Sequence, residues 1–525
     1  SDGLVGKHRS LAEEEPQSYR AACDSAHRDI WRGAMKQEFK RLMDNNTFDI
    51  AELPAGRKPI SGKWVFVWKQ NQAGEVVRGK VRLVAKGFLQ REGLEFSETF
   101  SPTPVPSSIR MIAITALQHD WGLSHWDIEQ AFCQSKIDKE IYFTLPHGCD
   151  EFSGKFVKLN KSLYGLRQSP RVFNQFPMSK LVAFGLKQCA SDPCIFRLTS
   201  LDGKEVRLVV GVYVDDLIVT GESRCCRELR AFFQQSLPTK DLGSLSYYVG
   251  CEYSRNRIAG TLRVTQTACI DRLVEKFGVT TSSPTPALTS VSLSPRKHEE
   301  ARCEKPYREA VGVLMSIANA IRPDISNAVR EVARQVHYPS ETHWRAVLKA
   351  IEYLKGTRDK EVMYKKSPSI RLTAYADSSI AENKQDRRSV SGGVVFLAGG
   401  AISWFSRTQH CVTLSTTESE NVALSDVVRE VVFLRGLMEF LLPGLQRGAV
   451  TVLEDNDGAV KLASSPICTN RTKHIDARSH FVREKVEEKT IKVVHVSSEN
   501  ETADGLTKYL PREALVRHRR NLLNG

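Results

Sequence analysis

Residues 208–221, with the sequence LVVGVYVDDLIVTG, place two adjacent carboxylates between two apolar, β-branched runs. Each run is long enough for a short buried strand, so the stretch predicts a tight β-hairpin with Asp215 and Asp216 at the break. Neighbouring acids repel each other, and a divalent cation would remove that cost because Mg²⁺ prefers carboxylate oxygens. An ordinary polar hairpin tip explains this stretch alone equally well, so its meaning depends on the rest of the chain.

Length and composition narrow the class of protein. A chain of 525 residues is too long for one core and should hold two to four domains. Its net charge of +14 is a solubility feature in most proteins, and it is also the electrostatic footprint of a nucleic-acid binder. The twelve cysteines form no CxxC pair, which argues against a structural zinc site or a disulfide framework. We find no signal peptide and no apolar run of about 18 residues, so we expect no membrane segment and an intracellular setting.

The N-terminal half contains a second strand pair with many cations. Trp64–Trp68 reads as a strand, and Val76–Gly87 reads as its return strand, which carries Lys80, Arg82 and Lys86. Several cations on one arm of a hairpin are a candidate clamp for phosphates. A solvated basic hairpin is about as compatible with the pattern.

The rest of the chain is predicted to contain two helical segments and a C-terminal α/β unit. Helical spacing predicts a helix in Ala21–Asn45 and a strongly helical segment over Tyr307–Gly356. From Ile370 the pattern predicts the order βββαβααβα, which is a mixed α/β unit with a helix over Thr416–Leu442. The residues after 510 read as a basic tail.

Carboxylates fall into two clusters. Asp127 follows a strand-like run, and the fold could bring it to Asp215 and Asp216, the arrangement that two-metal phosphoryl transfer requires. The second cluster lies at strand ends and inward helical positions of the α/β unit: Asp377, Glu420, Asp455 and Asp504. Each of these four acids alone is more often a helix cap or a surface acid. Four of them at strand ends and inward helical positions of one unit are much less likely to be incidental.

Several ordered motifs resemble the polyprotein of copia-type retrotransposons. The stretch GVYVDDLIVTG resembles the YxDD box of reverse transcriptases, and WDIEQAF, KVRLVAKGFLQREG, KSLYGLRQSPRVFN, STTESENVAL and RTKHIDARSHFVREK resemble other parts of that polyprotein. The resemblance covers residues 16–510, and no stretch resembles the capsid, protease or integrase parts. It therefore points to the reverse transcriptase–ribonuclease H portion.

The resemblance implies roles for individual residues. Asp127, Asp215 and Asp216 match the polymerase carboxylates, and the second cluster matches the ribonuclease H acids. The implied nucleotide contacts are Lys69, Arg82, Phe132, Tyr164 and Gly165, with Phe132 as the steric gate against ribose. The implied primer grip is Tyr248, Val249 and Gly250. Glu420 rather than Glu418 is assigned as the metal ligand because Glu420-Asn-Val-Ala423 fits the family's Glu-x-x-Ala helix, which leaves Glu418 as a capping residue.

The resemblance also implies the fold class, an α+β multidomain chain with a right-hand polymerase, a connection and an α/β ribonuclease H-like domain. We expect an N-terminal tail and helix at 1–45, fingers and palm at 46–250, and thumb and connection, mostly helical, at 251–365. The ribonuclease H domain should span 366–510, and a basic tail 511–525.

The implied function is RNA-directed and DNA-directed DNA polymerase activity with ribonuclease H activity, using two Mg²⁺ or Mn²⁺ ions per active site. The implied partners are an RNA template, a DNA or tRNA primer, the RNA–DNA hybrid and dNTPs, with the integrase and capsid parts as further candidates. The implied location is cytoplasmic, within virus-like particles, with the nucleus as an alternative. A host-adopted or inactive nucleic-acid-binding protein is the competing interpretation. An integrase-like nuclease would explain neither the YVDD motif nor the N-terminal half.

Overall fold

A computed structural model describes residues 15–70, 75–129, 134–287, 293–380, 386–445, 448–464 and 473–523. These residues form a mixed α/β fold with several sheets. The helices are α1 (Tyr19–Asp24), α2 (Arg28–Asp44), α3 (Pro106–His119), α4 (Ser169–Phe184), α5 (Ser223–Ser236), α6 (Thr267–Lys276), α7 (Tyr307–Ala320), α8 (Ser326–Ala333), α9 (Glu341–Gly356), α10 (Thr416–Leu441), α11 (Asp457–Ser464), α12 (Lys473–Glu487) and α13 (Arg512–Leu522).

The strands of the described residues form four sheets. They are β1 (Phe48–Ile50), β2 (Ile60–Gln70), β3 (Val76–Ala85), β4 (Gly122–Ile128), β5 (Tyr142–Thr144), β6 (Phe156–Leu159), β7 (Lys187–Gln188), β8 (Ile195–Thr199), β9 (Val206–Tyr213), β10 (Asp216–Gly221), β11 (Thr239–Ser244), β12 (Tyr247–Tyr248), β13 (Cys251–Asn256), β14 (Thr261–Thr265), β15 (Val362–Lys365), β16 (Thr373–Ser379), β17 (Val390–Leu397), β18 (Gly400–Thr408), β19 (Val450–Glu454) and β20 (Ile491–His495).

The first sheet has the order β1-β6-β5-β2-β3, and it contains the predicted basic hairpin. Along β2, Trp64, Phe66 and Trp68 point to one face, where α2 covers them. The ring of Trp31 on α2 lies 4.2 Å from that of Trp68, centroid to centroid. Because side chains alternate along a strand, the cations of β3 occupy the opposite face.

The second sheet has the order β11-β4-β10-β9-β8-β7 and carries the predicted Asp-Asp hairpin. Helices α4 and α5 share one core with this sheet, in which Phe173 and Phe233 are fully buried. Helix α3 contributes to a different core. That core continues through β13 and β14 to the last sheet, so the second and last sheets are joined through packed apolar residues.

The third sheet has the order β12-β13-β14-β15, and the pairing of β15 with β14 was not predicted. Strand β14 pairs with β15 across a helical segment of about a hundred residues, a distance over which sequence periodicity cannot identify a partner. Helices α6 to α9 form the helical core that the sequence indicated for this region.

The last sheet has the order β18-β17-β16-β19-β20, with α10 packed against β16 and β17. The predicted element order βββαβααβ is confirmed here. A short 3-10 turn spans Asp504–Leu506, where the sequence indicated the start of the final helix.

One local prediction was wrong. The helix expected over Ala21–Asn45 is broken into α1 and α2, because Ser25 takes an extended conformation and its hydroxyl bonds to the carbonyl of Ala22. The expected basic tail contains α13, whose Leu515 and Leu522 are buried while cations at helical spacing cover its other side. Within the described ranges, no helix is both long and apolar enough to cross a membrane.

Candidate active sites

The Asp-Asp hairpin has a two-residue loop. Tyr213 at the end of β9 pairs with Asp216 at the start of β10, so Val214 and Asp215 make the turn. Val214 has a φ of +54°, an unusual conformation for a β-branched residue. Two-residue hairpin loops favour positive φ because their twist then matches that of the strands. The loop therefore holds Asp215 at a defined place beyond the sheet.

Asp127 lies on the neighbouring strand β4, directly opposite Asp216. The structure thus brings together the three acids that the sequence assigned to the first cluster, and all three are half-buried. Burial, followed by the charges of Asp215 and Asp216, raises the pKa of Asp127. Burial and the charge of Asp216 likewise raise the pKa of Asp215. A cation between these groups would offset both effects.

Asp216 has a partner that the sequence analysis missed. Its Oδ1 lies 2.7 Å from Nε2 of His125, which lies two residues before Asp127 on the same face of β4. The spacing of His125 and Asp127 was the available signal, because residues two apart on a strand face the same side. His125 fixes the side chain of Asp216.

A cleft of about 600 Å³ opens in front of Asp127. Lys80, Arg82 and Tyr164 line it, together with Glu38 of α2. The guanidinium of Arg82 lies over the ring of Tyr164, 4.4 Å from its centroid, which is a cation–π contact. The basic hairpin therefore directs two cations toward the first acidic cluster.

Lys69, which the resemblance assigned to the nucleotide, is exposed at the end of β2 and pairs in register with Arg78. Lys80 lies two residues before Arg82 on the same face of β3, and it lines the cleft. Burial, followed by the charges of Arg82 and Lys69, lowers the pKa of Lys80. Glu38 was not predicted; burial raises the pKa of its carboxyl group.

Gly165 lies against β3 beside the cleft. Its φ is +88°, and a Cβ atom added there would lie 2.2 Å from the carbonyl oxygen of Ala85. The backbone amide of Ala85 donates to the carbonyl of Tyr164 at 2.7 Å. Only glycine allows this close approach, which places Tyr164 beneath Arg82.

The remaining residues that the resemblance assigned to the polymerase are Phe132 and the three residues of the primer grip. Phe132 lies outside the described residues. Val249 and Gly250, both with positive φ, form the tip of the β12–β13 hairpin. Tyr248 is 2% exposed, and its ring packs edge-on against His125 with centroids 5.3 Å apart. The tip of this hairpin thus lies beside the first acidic cluster, and Tyr248 supports it from within.

The second cluster converges tightly. Asp377 lies on the central strand β16, Glu420 on α10, and Asp455 directly after β19, which pairs in parallel with β16. One ligand atom from each residue lies within 4.8 Å of those of the other two, and we call these residues the acidic triad. In the described part of the chain no other such group of three is present.

The electrostatics of the acidic triad favour a bound cation. Burial raises the pKa of Glu420 to about 9, and the charges of Asp377 and Asp455 add to this. Burial also raises the pKa of Asp377 to about 7. Oε2 of Glu420 is buried without a hydrogen-bond partner. Unpartnered, buried carboxylate oxygens are costly, so the donor set fits a hard divalent ion.

Asp504, the fourth predicted acid, is joined to Asp377 through a lysine. Nζ of Lys508 lies 2.7 Å from Oδ1 of Asp504 and 3.1 Å from Oδ1 of Asp377. The hydroxyl of Thr507 donates to Oδ2 of Asp377. Neither Thr507 nor Lys508 was predicted, because the contact depends on how the Asp504–Leu506 turn packs on the sheet.

Two further buried acids surround this site. Glu454 and Glu501 are 0% and 1% exposed, and burial raises the pKa of each well above its usual value. Glu454 ends β19 and Glu501 follows a short 3-10 turn, positions at which a glutamate is usually solvated, so neither was predicted. Glu418 is buried in the first turn of α10; its amide donates to Ser415, and its Oε2 accepts from the amide of Leu414 at 2.7 Å. The Ser415 half of the predicted capping box is therefore present, and the Glu418 carboxylate accepts from the residue before the N-cap instead of from Ser415 itself.

Comparison with known proteins places these sites in context. Residues 45–289 match the reverse transcriptase (RNA-dependent DNA polymerase) family. The retrovirus-related Pol polyprotein from transposon TNT 1-94 of Nicotiana tabacum is 34% identical over 511 residues, covering 95% of this chain and 38% of the relative. The corresponding polyprotein from transposon RE1 of Arabidopsis thaliana is 34% identical over 509 residues, covering 96% and 34%. The Ty1-GR3 Gag-Pol polyprotein of Saccharomyces cerevisiae is 22% identical over 91% of this chain and 28% of its own.

The chain therefore contains a reverse transcriptase domain, and its Asp-Asp hairpin lies within the matched region. Over 95–97% of its length the chain is similar to Pol polyproteins of plant retrotransposons, as the resemblance of its motifs implied. It spans about a third of the length of the plant relatives that it matches.

Proposed function

We propose that this chain is an RNA-directed and DNA-directed DNA polymerase that also hydrolyses the RNA strand of an RNA–DNA hybrid. The observation that carries the polymerase is that the Asp-Asp hairpin pairs with β4 at Asp127, which lines a cleft together with Lys80 and Arg82. The observation that carries the ribonuclease is the acidic triad.

The four sheets support a division of the chain into polymerase subdomains and a ribonuclease H domain. The first sheet with α2 would form the fingers, and the second sheet the palm. The third sheet with α6 to α9 would form the thumb and connection, and the last sheet with α10 the ribonuclease H domain. Three apolar cores support this division, one in the first sheet, one in the second sheet with α4 and α5, and one in helices α6 to α9. A fourth core runs from α3 through the third sheet to the last sheet.

In the polymerase site, Asp127 and Asp215 would hold two Mg²⁺ or Mn²⁺ ions. When bound, such ions supply charge stabilisation to the attacking and leaving oxygens in phosphoryl transfer. Lys80 and Arg82 would bind the triphosphate of a dNTP, whose charge matches theirs. Tyr164 would orient Arg82 through their stacking contact.

His125 would keep Asp216 turned toward β4 through its 2.7 Å contact. The β12–β13 hairpin tip, Val249 and Gly250, would contact the primer end. Phe132, which the family resemblance places near the sugar, would exclude ribonucleotides by a clash with the 2′-hydroxyl.

In the ribonuclease site, the acidic triad with Asp504 would hold two divalent ions, which would position the scissile phosphate. Glu420 would release its proton when a divalent ion binds, because burial and the neighbouring acids raise its pKa. Because Asp215 lies in the hairpin of the second sheet and Glu420 lies on α10, which packs against the last sheet, the two activities would be independent.

The substrates would be an RNA template, a DNA or tRNA primer, dNTPs and the RNA–DNA hybrid. The integrase and capsid parts of the polyprotein would be partners, and the cytoplasmic virus-like particle the location. An excess of +14 charges supports binding to a phosphate backbone.

The test compares Asp215→Asn with Glu420→Gln in two assays: extension of a DNA primer on an RNA template, and cleavage of the RNA in a hybrid. Asp215→Asn should lower extension on the order of 10³-fold and leave cleavage intact, and Glu420→Gln should do the reverse. A wild-type chain without either activity would favour the inactive nucleic-acid-binding alternative. Loss of both activities in a folded single variant would contradict two independent sites.

A further inference from the structure

We propose that Lys508 is a positioning residue that takes the place of one of the two cations at the ribonuclease centre. The centre would then bind a single divalent ion, at the acidic triad. This inference rests on the proposed ribonuclease function, which by itself leads one to expect two ions.

The first support is the position of the ammonium group. Nζ of Lys508 lies within hydrogen-bond distance of both Asp377 and Asp504, at 3.1 and 2.7 Å. A cation that bridges the first and fourth acids would have to bind these same carboxylates. An ammonium group is a compact point charge with three donors, so it can satisfy two carboxylates together.

The second support is that the backbone around Lys508 is fixed. Its amide donates to the carbonyl of Asp504 at 2.9 Å, and the amide of Thr507 donates to that same carbonyl at 3.1 Å. The turn rests directly on β17, where a Cβ atom on Gly392 would lie 2.6 Å from Cγ2 of Thr507. The lysine therefore starts from an anchored turn rather than from a loose loop.

The third support is the contrast between the two sides of Asp377. On one side, Thr507 and Lys508 hold both carboxylate oxygens. On the other side lie Glu420 and Asp455, and Oε2 of Glu420 is buried without a hydrogen-bond partner. The two sides of Asp377 therefore differ in where their positive charge would come from. The triad side requires a cation from solution, whereas the Asp504 side receives one from the chain.

The test is Mn²⁺ binding followed by electron paramagnetic resonance, in a chain that carries Asp127→Asn and Asp215→Asn to remove the polymerase ions. We expect one isolated Mn²⁺ that is lost in Glu420→Gln. Lys508→Met should admit a second ion close to the first, and two such ions, about 3.5–4 Å apart, give a spin-coupled spectrum. Lys508→Arg, which keeps the charge, should retain the single isolated ion.

Lys492→Met is the matched control, because Lys492 is an exposed lysine on β20 of the same sheet. It should leave the stoichiometry at one. A spin-coupled pair in the Lys508-containing chain would overturn the proposal, since the ammonium would then have been displaced by an ion. That result needs no Lys508 variant to fold. Mn²⁺ binding that is unaffected by Glu420→Gln would instead contradict the proposed ribonuclease centre itself.

Discussion

The guanidinium of Arg110 lies over the indole ring of Trp404, with Cζ 4.1 Å from the ring centroid. Arg110 belongs to α3, beside the sheet that carries the Asp-Asp hairpin, whereas Trp404 belongs to β18 of the last sheet. The same guanidinium donates to the carbonyls of Ile402 and Asn319, each at 2.8 Å. The indole of Trp404 donates to the carbonyl of Ala318 at 2.7 Å. A single buried arginine thus joins three segments of the chain.

Arg110→Ala should therefore weaken the contact between the polymerase region and the last sheet. Hydrogen bonds to charged groups contribute about 1.5–3 kcal/mol each, and their carbonyl partners would be left buried, so we expect a loss of roughly 3 kcal/mol. Urea unfolding followed by Trp fluorescence would measure it. Arg110→Lys keeps the charge but not the planar stacking. Its free energy of unfolding should therefore lie between those of Arg110→Ala and the unmodified chain. Equal unfolding midpoints for Arg110→Ala and the unmodified chain would show that the contact contributes nothing.

Gly165→Ala should disturb the floor of the dNTP cleft. The added Cβ would meet the carbonyl oxygen of Ala85 at 2.2 Å, in addition to the strain of a φ of +88°. Gly93→Ala is the matched control, since Gly93 has a φ of +79° but no atom within 4 Å of an added Cβ. We expect Gly93→Ala to cost about 1 kcal/mol and Gly165→Ala at least about 2 kcal/mol more. Thermal unfolding measures the difference, and primer extension should show a higher KM for dNTPs only in Gly165→Ala.

Much of this geometry follows from local patterns. The alternation along β9 and β10 predicts the Asp-Asp hairpin, and helical spacing places Glu420 on the buried face of α10. For His125 the sequence shows only its spacing from Asp127 on one face of a strand, and not its contact with Asp216, 91 positions away. The contact of Lys508 with Asp377 joins residues 131 positions apart, and a single sequence carries no signal for such a pair. The strand pair β14–β15 was missed for the same reason.

The two glutamates at the start of α10 should separate a structural role from a metal-binding role. The carboxylate of Glu418 accepts a hydrogen bond from the amide of Leu414, as a capping side chain does. Glu418→Gln should therefore cost at most about 1 kcal/mol and keep hybrid cleavage. Glu420→Gln should abolish cleavage and raise the stability of the metal-free protein, because it removes a buried acid whose partners are acids. If cleavage is lost in Glu418→Gln and kept in Glu420→Gln, the assignment of the ligand is wrong.

A buried ion pair in the helical region should make stability depend on acid pH. Arg322 and Asp324 are both completely buried, with Nη2 2.7 Å from Oδ2, and the hydroxyl of Tyr353 also donates to Asp324 at 2.7 Å. Burial alone would raise the pKa of Asp324, but the charge and hydrogen bonds of Arg322 outweigh it, so the pKa lies below its ordinary value. A depressed folded-state pKa contributes stability that is present above the unfolded pKa of about 3.9 and is lost as the pH falls through the folded value.

Asp324→Asn should consequently cost about 3–5 kcal/mol at pH 7, because it leaves the guanidinium of Arg322 buried without a counter-charge. The difference from the unmodified chain should stay constant from pH 7 to about pH 4 and shrink below it, where the aspartate itself becomes protonated. Thermal unfolding midpoints across pH 3–7 would measure both effects. Asp359→Asn is the control: the Asp359 side chain is 74% exposed beside Lys360, so this change should alter the midpoint little at any pH. A difference that begins to shrink well above pH 4 would show that the pKa of Asp324 is not depressed.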